Sequence, residues 1–286
     1  MDSLMKLGGS PIALAAQGVC AAALVAYVIK RVTAKPRKSL PNPSNIVILY
    51  QFVAPKDVPV TSMSPPCIKL EAYLRLAKVP YIDRRVVTAA KSPKKTAPYA
   101  EYNGVTKADS NVIIDWLEEI GVSPGLDGHL TELDRAQSEA FRYLIEEGMY
   151  WHMVYSRWQH EPNWARTRAI FFATVPAWMR TALGAYVRGL FVKGLYSQHV
   201  GRHTFEEVLQ MNRKCVEALS DLLGGKKYFL SDTRPSLLDA TAYAHLSNML
   251  YVEFPDKRIS QQIATKKNLV AYCHRMTEEV FPERLN

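Results

Sequence analysis

Residues 45–53, NIVILYQFV, form an apolar run rich in strand-forming side chains, and residues 64–74, SPPCIKLEAYL, follow it across a loop. The second stretch starts the way helices start. Ser64 stands at the N-cap position and Pro65 at the first helical position, where its missing N–H costs nothing. Leu70, Tyr73, Leu74 and Ala77 then recur at helical spacing, so the predicted helix has an apolar face. A second strand is predicted over 81–88. Beyond it come Ala97-Pro98-Tyr99, then Glu101-Tyr102 and Val105 on either side of Asn103-Gly104, a pair that signals a tight hairpin. Asp109-Ser110 opens a helix predicted over 111–119. Strand–helix–strand followed by hairpin–helix predicts a small α/β domain over 45–121.

In front of that domain, residues 12–29, IALAAQGVCAAALVAYVI, carry no charge. A run of this length, at ~1.5 Å rise per residue, reaches about the minimum for a tilted helix crossing a ~30 Å hydrocarbon core. A cleavable signal peptide competes with that reading. The basic residues behind the run (Lys30, Arg31, Lys35, Arg37 and Lys38) weigh against cleavage. The expectation is a tail at 1–11, a single-pass transmembrane anchor at 12–29 and a basic, proline-containing linker at 30–44. The positive-inside rule puts the bulk of the chain on the cytosolic or matrix side. A weakly hydrophobic anchor with a basic C-terminal flank also suits a mitochondrial membrane.

Behind the α/β domain, residues 122–128, VSPGLDG, punctuate the chain, and an all-helical domain is predicted over 130–286. Apolar periodicity places helices at 133–155, 205–223, 237–251 and 263–280, in a bundle of about five. One segment stands apart. From Pro162 to Phe205 there is no acidic residue, while Arg166, Arg168, Arg180, Arg188, Lys193 and Arg202 alternate with Trp164, Phe171, Phe172, Trp178, Tyr186 and Phe191. That pattern fits a helical hairpin lying on a membrane surface, its cations at the lipid head groups. A core helix pair with its cations in water is the other reading. A second span is not expected, because Arg180 and Arg188 interrupt the apolar run.

With 286 residues, 48% of them hydrophobic and 22% charged, the chain can bury a sizeable core and is not a disordered one. A formal net charge of +9 points to an acidic partner. No zinc spacing or RNA-binding signature supports a nucleic acid, which leaves an anionic membrane surface. Cys20, Cys67, Cys215 and Cys273 are far apart and form no Cys-x-x-Cys, as expected of reduced thiols. His199 and His203 could share a helix face but have no further ligands nearby, so no metal site is expected. Nucleophile elbow, Walker loop and dinucleotide fingerprint are all absent from the sequence.

The chain resembles the failed axon connections family, a metaxin-like branch of the glutathione transferase fold. The resemblance is carried by LYQF at 49–52, SMSPPCIKLEAYLRLAKVPY at 62–81, APYAEYNG at 97–104, NVIIDWLEE at 111–119 and EEGMYW at 146–151. It continues through HVGRH at 199–203, LLGGKKYFLSD at 222–232 and SLLDATAYAHL at 236–246. Several family members begin the first helix Ser-Pro-x-Cys-x-Lys, matched by Ser64, Pro65, Cys67 and Lys69. The implied fold is a thioredoxin-like N-terminal domain followed by a glutathione-transferase-type helical domain. The implied role is that of metaxins, which act as interaction proteins in import and tethering at the mitochondrial outer membrane. Membrane lipids and other membrane-protein subunits are then the expected partners, with no cofactor.

The alternative is a membrane-bound glutathione-dependent transferase or peroxidase. A glutathione site of this fold needs a hydroxyl or thiol at the head of the first helix to stabilise the thiolate. It also needs a cis-proline before the third strand and an acidic residue plus serine at the next helix start. The candidates are Ser64 as the catalytic hydroxyl, with Cys67, Pro98, Asp109 and Ser110 at the tripeptide site. Each has a plainer role: Ser64 an N-cap, Cys67 a small buried hydrophobe, Pro98 a fold requirement, Asp109 and Ser110 a helix cap. Only about ten residues, AAKSPKKTA and its neighbours, separate the second strand from Pro98, where transferases usually place a helix. Lys91, Lys94 and Lys95 are candidates to replace a lost contact. In the helical half, Ser236 and Asp239 form a capping box expected to serve folding.

Overall fold

The computed structural model describes residues 43–53 and 58–284. The expected tail, the anchor at 12–29 and nearly all of the linker at 30–44 lie outside the described residues. Among the described residues no helix is long and apolar enough to cross a membrane.

The first domain runs β1 (Val47–Phe52), α1 (Pro65–Leu76), β2 (Tyr81–Val86), β3 (Tyr99–Tyr102), β4 (Val105–Ala108) and α2 (Ser110–Glu119). Its sheet has the order β2-β1-β3-β4, with β1 parallel to β2 and antiparallel to β3. The β3–β4 hairpin turns on Asn103 and Gly104, both at positive φ (47° and 83°), the conformation that Asn-Gly adopts most readily. Val47, Leu49 and Gln51 alternate onto one fully buried face of β1, under Leu70, Tyr73 and Leu74 of α1 and Ile113, Ile114 and Leu117 of α2. The second strand ends at Val86, shorter than expected, because residues 87–98 go into successive turns.

The helical domain is larger than the sequence pattern suggests. α3 (Glu132–Tyr143) is started by a Thr131–Asp134 capping box and does not end at Tyr143. It runs on through a π-helical stretch, Leu144–Met149, then α4 (Tyr150–Val154) and a second π-helical stretch, Tyr155–Gln159. α5 (Glu161–Phe171), α6 (Ala177–Ser197), α7 (Phe205–Leu223), α8 (Leu237–Tyr251), α9 (Arg258–Ala264) and α10 (Lys267–Val280) complete eight α-helices among the described residues, against about five expected. The helix predicted over 263–280 is broken in two because Lys266 is extended and the Thr265 hydroxyl donates back to the Gln262 carbonyl at 2.8 Å.

α8 is the axis of the molecule. Every residue from Leu237 to Met249 is buried, which only a helix covered on all sides allows. It packs against α3, α9 and α10 of its own domain and against α1 of the first. α1 is therefore sandwiched between the sheet and α8, and its head lies at the seam between the domains.

Candidate functional site

Strand register brings the candidate residues to one end of the sheet. Tyr50, near the end of β1, faces Tyr99 at the start of β3, and Tyr99 faces Ala108 at the end of β4. The heads of α1 and α2 and the cis Ala97–Pro98 bond consequently share that end. The Asp109 N–H donates to the Pro98 carbonyl at 3.3 Å, so Pro98, Asp109 and Ser110 form one continuous surface.

Ser64 occupies the N-cap position of α1 but makes no side-chain cap, contrary to the sequence reading. The reason is local. Pro65 and Pro66 have no N–H, and the next donor, the Cys67 N–H, already bonds the Ser64 carbonyl at 3.0 Å. The Ser64 hydroxyl lies instead against the Cys67 thiol, with the Ser62 hydroxyl on the same sulfur. Cys67 is fully buried, and burial pushes its thiol above the ordinary range despite these neighbours. Its side chain packs as part of the core of the first domain.

The head of α2 is built differently. Asp109 has φ 86°, a strained conformation for a residue with a side chain, and its carboxylate accepts from the N–H groups of Asn111 (3.0 Å) and Val112 (3.4 Å). Ser110 is 5% exposed, and among the described residues its hydroxyl has no hydrogen-bond partner. Between Val86 and Pro98 there is no helix, and Lys95 turns its ammonium back onto the Ala90 carbonyl at 2.8 Å. Two grooves of about 510 and 550 Å3 lie elsewhere, one over α9 and α10 beside Lys267 and His274, the other by Asn45, Glu101 and Asn103.

Below this surface lies a buried polar cluster that sequence reasoning missed. Lys69 of α1 is 0% exposed; its ammonium donates to Asn111 Oδ1 of α2 and, at 2.6 Å, to Glu146 Oε1 in the helical domain. Asn111 Nδ2 donates to Glu146 Oε2 at 3.1 Å, and Arg142 donates to Asn111 Oδ1 at 2.6 Å. Burial pushes the Lys69 ammonium down, with Glu146 opposing. Burial also pushes Glu146 up, but Lys69 beside it wins and holds the carboxyl below its ordinary value. His245 on α8 faces the same cluster, its Nδ1–H donating to the Thr241 carbonyl at 2.8 Å, and burial lowers it to about 4. One turn beyond α4, Arg157 is 3% exposed and donates to the Met63 carbonyl (3.4 Å) and to the carbonyl and side chain of Asn248 (3.0 and 2.6 Å). Asn248 in turn donates to the Ser62 carbonyl at 2.9 Å, so the loop before Ser64 is pinned from the helical domain. Burial lowers the Arg157 guanidinium to about 9, which leaves it charged at neutral pH.

Comparison with known proteins agrees with this geometry. Residues 65–164 match the glutathione S-transferase N-terminal domain and residues 212–276 the glutathione S-transferase C-terminal domain. The isoprene-epoxide–glutathione S-transferase of Rhodococcus sp. (strain AD45) is 31% identical over 243 residues, covering 82% of this chain and 99% of that protein. The chain belongs to the glutathione S-transferase family. Within it, the failed axon connections protein of Drosophila melanogaster is 28% identical over 84% of this chain, which spans 59% of that protein's length. Human metaxin-2 is 24% identical over 85% of this chain and 92% of its own. Among solved structures, a glutathione transferase from Phanerochaete chrysosporium superposes with a TM-score of 0.55 at 14% identity, covering 82% and 97% of the two chains. The two-domain fold and the resemblance to failed axon connections and metaxins expected from sequence both stand.

The remaining candidates take places in the family scaffold. Asp239 is fully buried and accepts from the Ser236 N–H (2.8 Å) and hydroxyl (2.7 Å), the Phe229 N–H (3.0 Å) and the Tyr272 hydroxyl (3.3 Å). Burial raises its carboxyl, and these four donors oppose the rise. His199 is exposed, and His203 lies 3.5 Å from Glu207; no cluster able to hold a metal occurs among the described residues. In the basic segment, Arg180 donates to the Val175 and Ala173 carbonyls, and Arg188 to the Trp158 and Gln159 carbonyls and to Glu161. Arg166 and Arg168 are half-buried on α5, and Lys193 is exposed on α6.

Proposed function

We propose that this chain is a non-catalytic interaction subunit of the metaxin-like kind, acting at a mitochondrial membrane beside other membrane-protein subunits. The observation that carries the reading is the run of turns over residues 87–98, where a helix would otherwise wall the tripeptide site. The Ser64 hydroxyl, spent on the Cys67 thiol, supports it further. The mitochondrial membrane comes from the metaxin resemblance and from the uncharged run at 12–29 with its basic flank.

A glutathione-dependent transferase is the second reading. It is favoured by the strained Asp109, by the Ser110 hydroxyl at a helix head, without a hydrogen-bond partner among the described residues, and by the likeness to the isoprene-epoxide enzyme. In that case Ser64 stabilises the thiolate, while Pro98, Asp109 and Ser110 hold the γ-glutamyl end. Glutathione titration of the full chain in detergent, followed by calorimetry with Ser110→Ala as control, separates the two. The interaction reading expects no heat of binding. A dissociation constant below about 1 mM, lost in Ser110→Ala, overturns it in favour of the transferase.

A further inference from the structure

Helix α6 is apolar on both sides, and its outer side faces solvent. Met179 and Leu195 are buried against the domain, and Gly184 lets the helix close on α5, where a Cβ would come within 3.3 Å of Arg168. Elsewhere on the helix Trp178 is 61% exposed, Tyr186 64%, Leu190 55% and Tyr196 57%. These residues, with Ala182, Ala185 and Gly189 between them, share one helical face over five turns. Four large exposed apolar and aromatic side chains along one helix make a patch that calls for a cover.

Charge decides which. No acidic residue occurs from Pro162 to Phe205, and Lys193 lies exposed on the same face as Tyr186. The Arg202 guanidinium stacks 4.4 Å over the Tyr196 ring at the helix end. Arg180, locked onto the Val175 and Ala173 carbonyls, adds fixed positive charge along the flank, whereas Arg188 is paired with Glu161. Trp and Tyr interspersed with cations is the composition of a bilayer interface, whereas a second copy would meet the same positive field.

We propose that the outer face of α6 docks on an anionic lipid surface, with Trp178, Tyr186, Leu190 and Tyr196 entering the interface and Lys193 and Arg202 meeting head groups. The docking does not depend on whether glutathione binds. The test places a photoreactive benzophenone side chain at Tyr186 (Tyr186→p-benzoylphenylalanine) in the full chain, reconstituted in phosphatidylcholine vesicles with or without phosphatidylserine. Leu133, 68% exposed on α3, takes the same label as the control position. The expected result is lipid adducts at 186 that exceed those at 133 and rise with phosphatidylserine. In Lys193→Ala they fall about fivefold, the loss of one basic residue near the surface. Adducts to a second copy or to residues 12–29, or equal yields at 186 and 133, overturn the proposal. So does a yield that ignores phosphatidylserine. Labelling at Trp178 repeats the test should the Tyr186 variant misfold.

Discussion

Lys69→Met tests whether the buried cluster at the domain seam holds the two domains together. The ammonium is the cation opposite Glu146, whose side chain is only 18% exposed, and without it the carboxylate keeps a single donor, Asn111 Nδ2 at 3.1 Å. Taking one partner from a buried ion pair costs ~3–5 kcal/mol. The residual exposure and the Asn111 bond place the expected loss at the lower end, about 3 kcal/mol. Replacing both partners, Lys69→Met with Glu146→Leu, removes the stranded charge and leaves only Asn111 Nδ2 short of a partner, about 1 kcal/mol. The double variant is thus expected to be more stable than the single. Guanidinium unfolding of the full chain in detergent, read by tryptophan fluorescence and circular dichroism at unchanged m, gives both numbers. Coincident transitions by the two probes are expected while the domains stay coupled. A single variant within about 1 kcal/mol of the parent, or strictly additive losses, refutes the reasoning. The pair also has an acid limb: Glu146 is held below its ordinary 4.5, so its contribution is present above that pH and lost as pH falls through the lower folded value.

Two further outcomes follow from two buried histidines and from the head of α2. His152 and His245 are both lowered to about 4 by burial, from an ordinary 6.5, so between pH 6.5 and 4 only the unfolded chain takes up their protons. Stability is therefore expected to fall with pH, by about 2 kcal/mol per histidine at pH 5, and His245→Gln removes roughly half of the slope. A flat stability profile from pH 7 to 5 contradicts this. At Asp109 the cap and the strained φ can be separated. Asp109→Ala loses the cap and keeps the strain, an expected cost of about 1–2 kcal/mol, whereas Asp109→Gly relieves the strain and comes within about 0.5 kcal/mol of the parent. Equal losses in thermal unfolding of the two variants show that the turn carries no strain.

The parts legible in the sequence are those with a short-range code. Ser64-Pro65, Asn103-Gly104 and Asp109-Ser110 each set a turn or a helix start within a few residues, and the structure has them where they were expected. The helix starts at Phe205 and Leu237 follow the same rule, each behind its capping box. The cluster under the site has no such code. Lys69 finds Asn111 and Glu146 at separations of 42 and 77 residues, and a lysine in a helix ordinarily reads as solvated. A signal was present: Ile68 and Ala72 make a second apolar stripe beside Leu70, Tyr73 and Leu74, so α1 has no polar side for Lys69 to occupy. The break at Thr265-Lys266 was hidden because apolar spacing continues across it, from Ile263 to Val270 seven residues on.

The two ends of α1 meet different demands. At its head, two prolines remove the donors that a cap or an incoming anion would use, and the one hydroxyl there rests on a buried thiol. One turn further in, α1 buries a lysine that only a carboxylate from the other domain can match. Burying such a pair is costly, and it ties α1 to the helical domain at one angle. A transferase and an interaction subunit differ in what they ask of that angle. The transferase needs it to present a thiolate at Ser64, whereas a subunit needs it to aim outer surfaces such as α6 at a target. Loosening the seam with Lys69→Met should then cost α6 its lipid adducts while leaving the vesicle-bound chain in place. Adducts that persist undiminished show that α6 finds the bilayer without help from the thioredoxin-like domain.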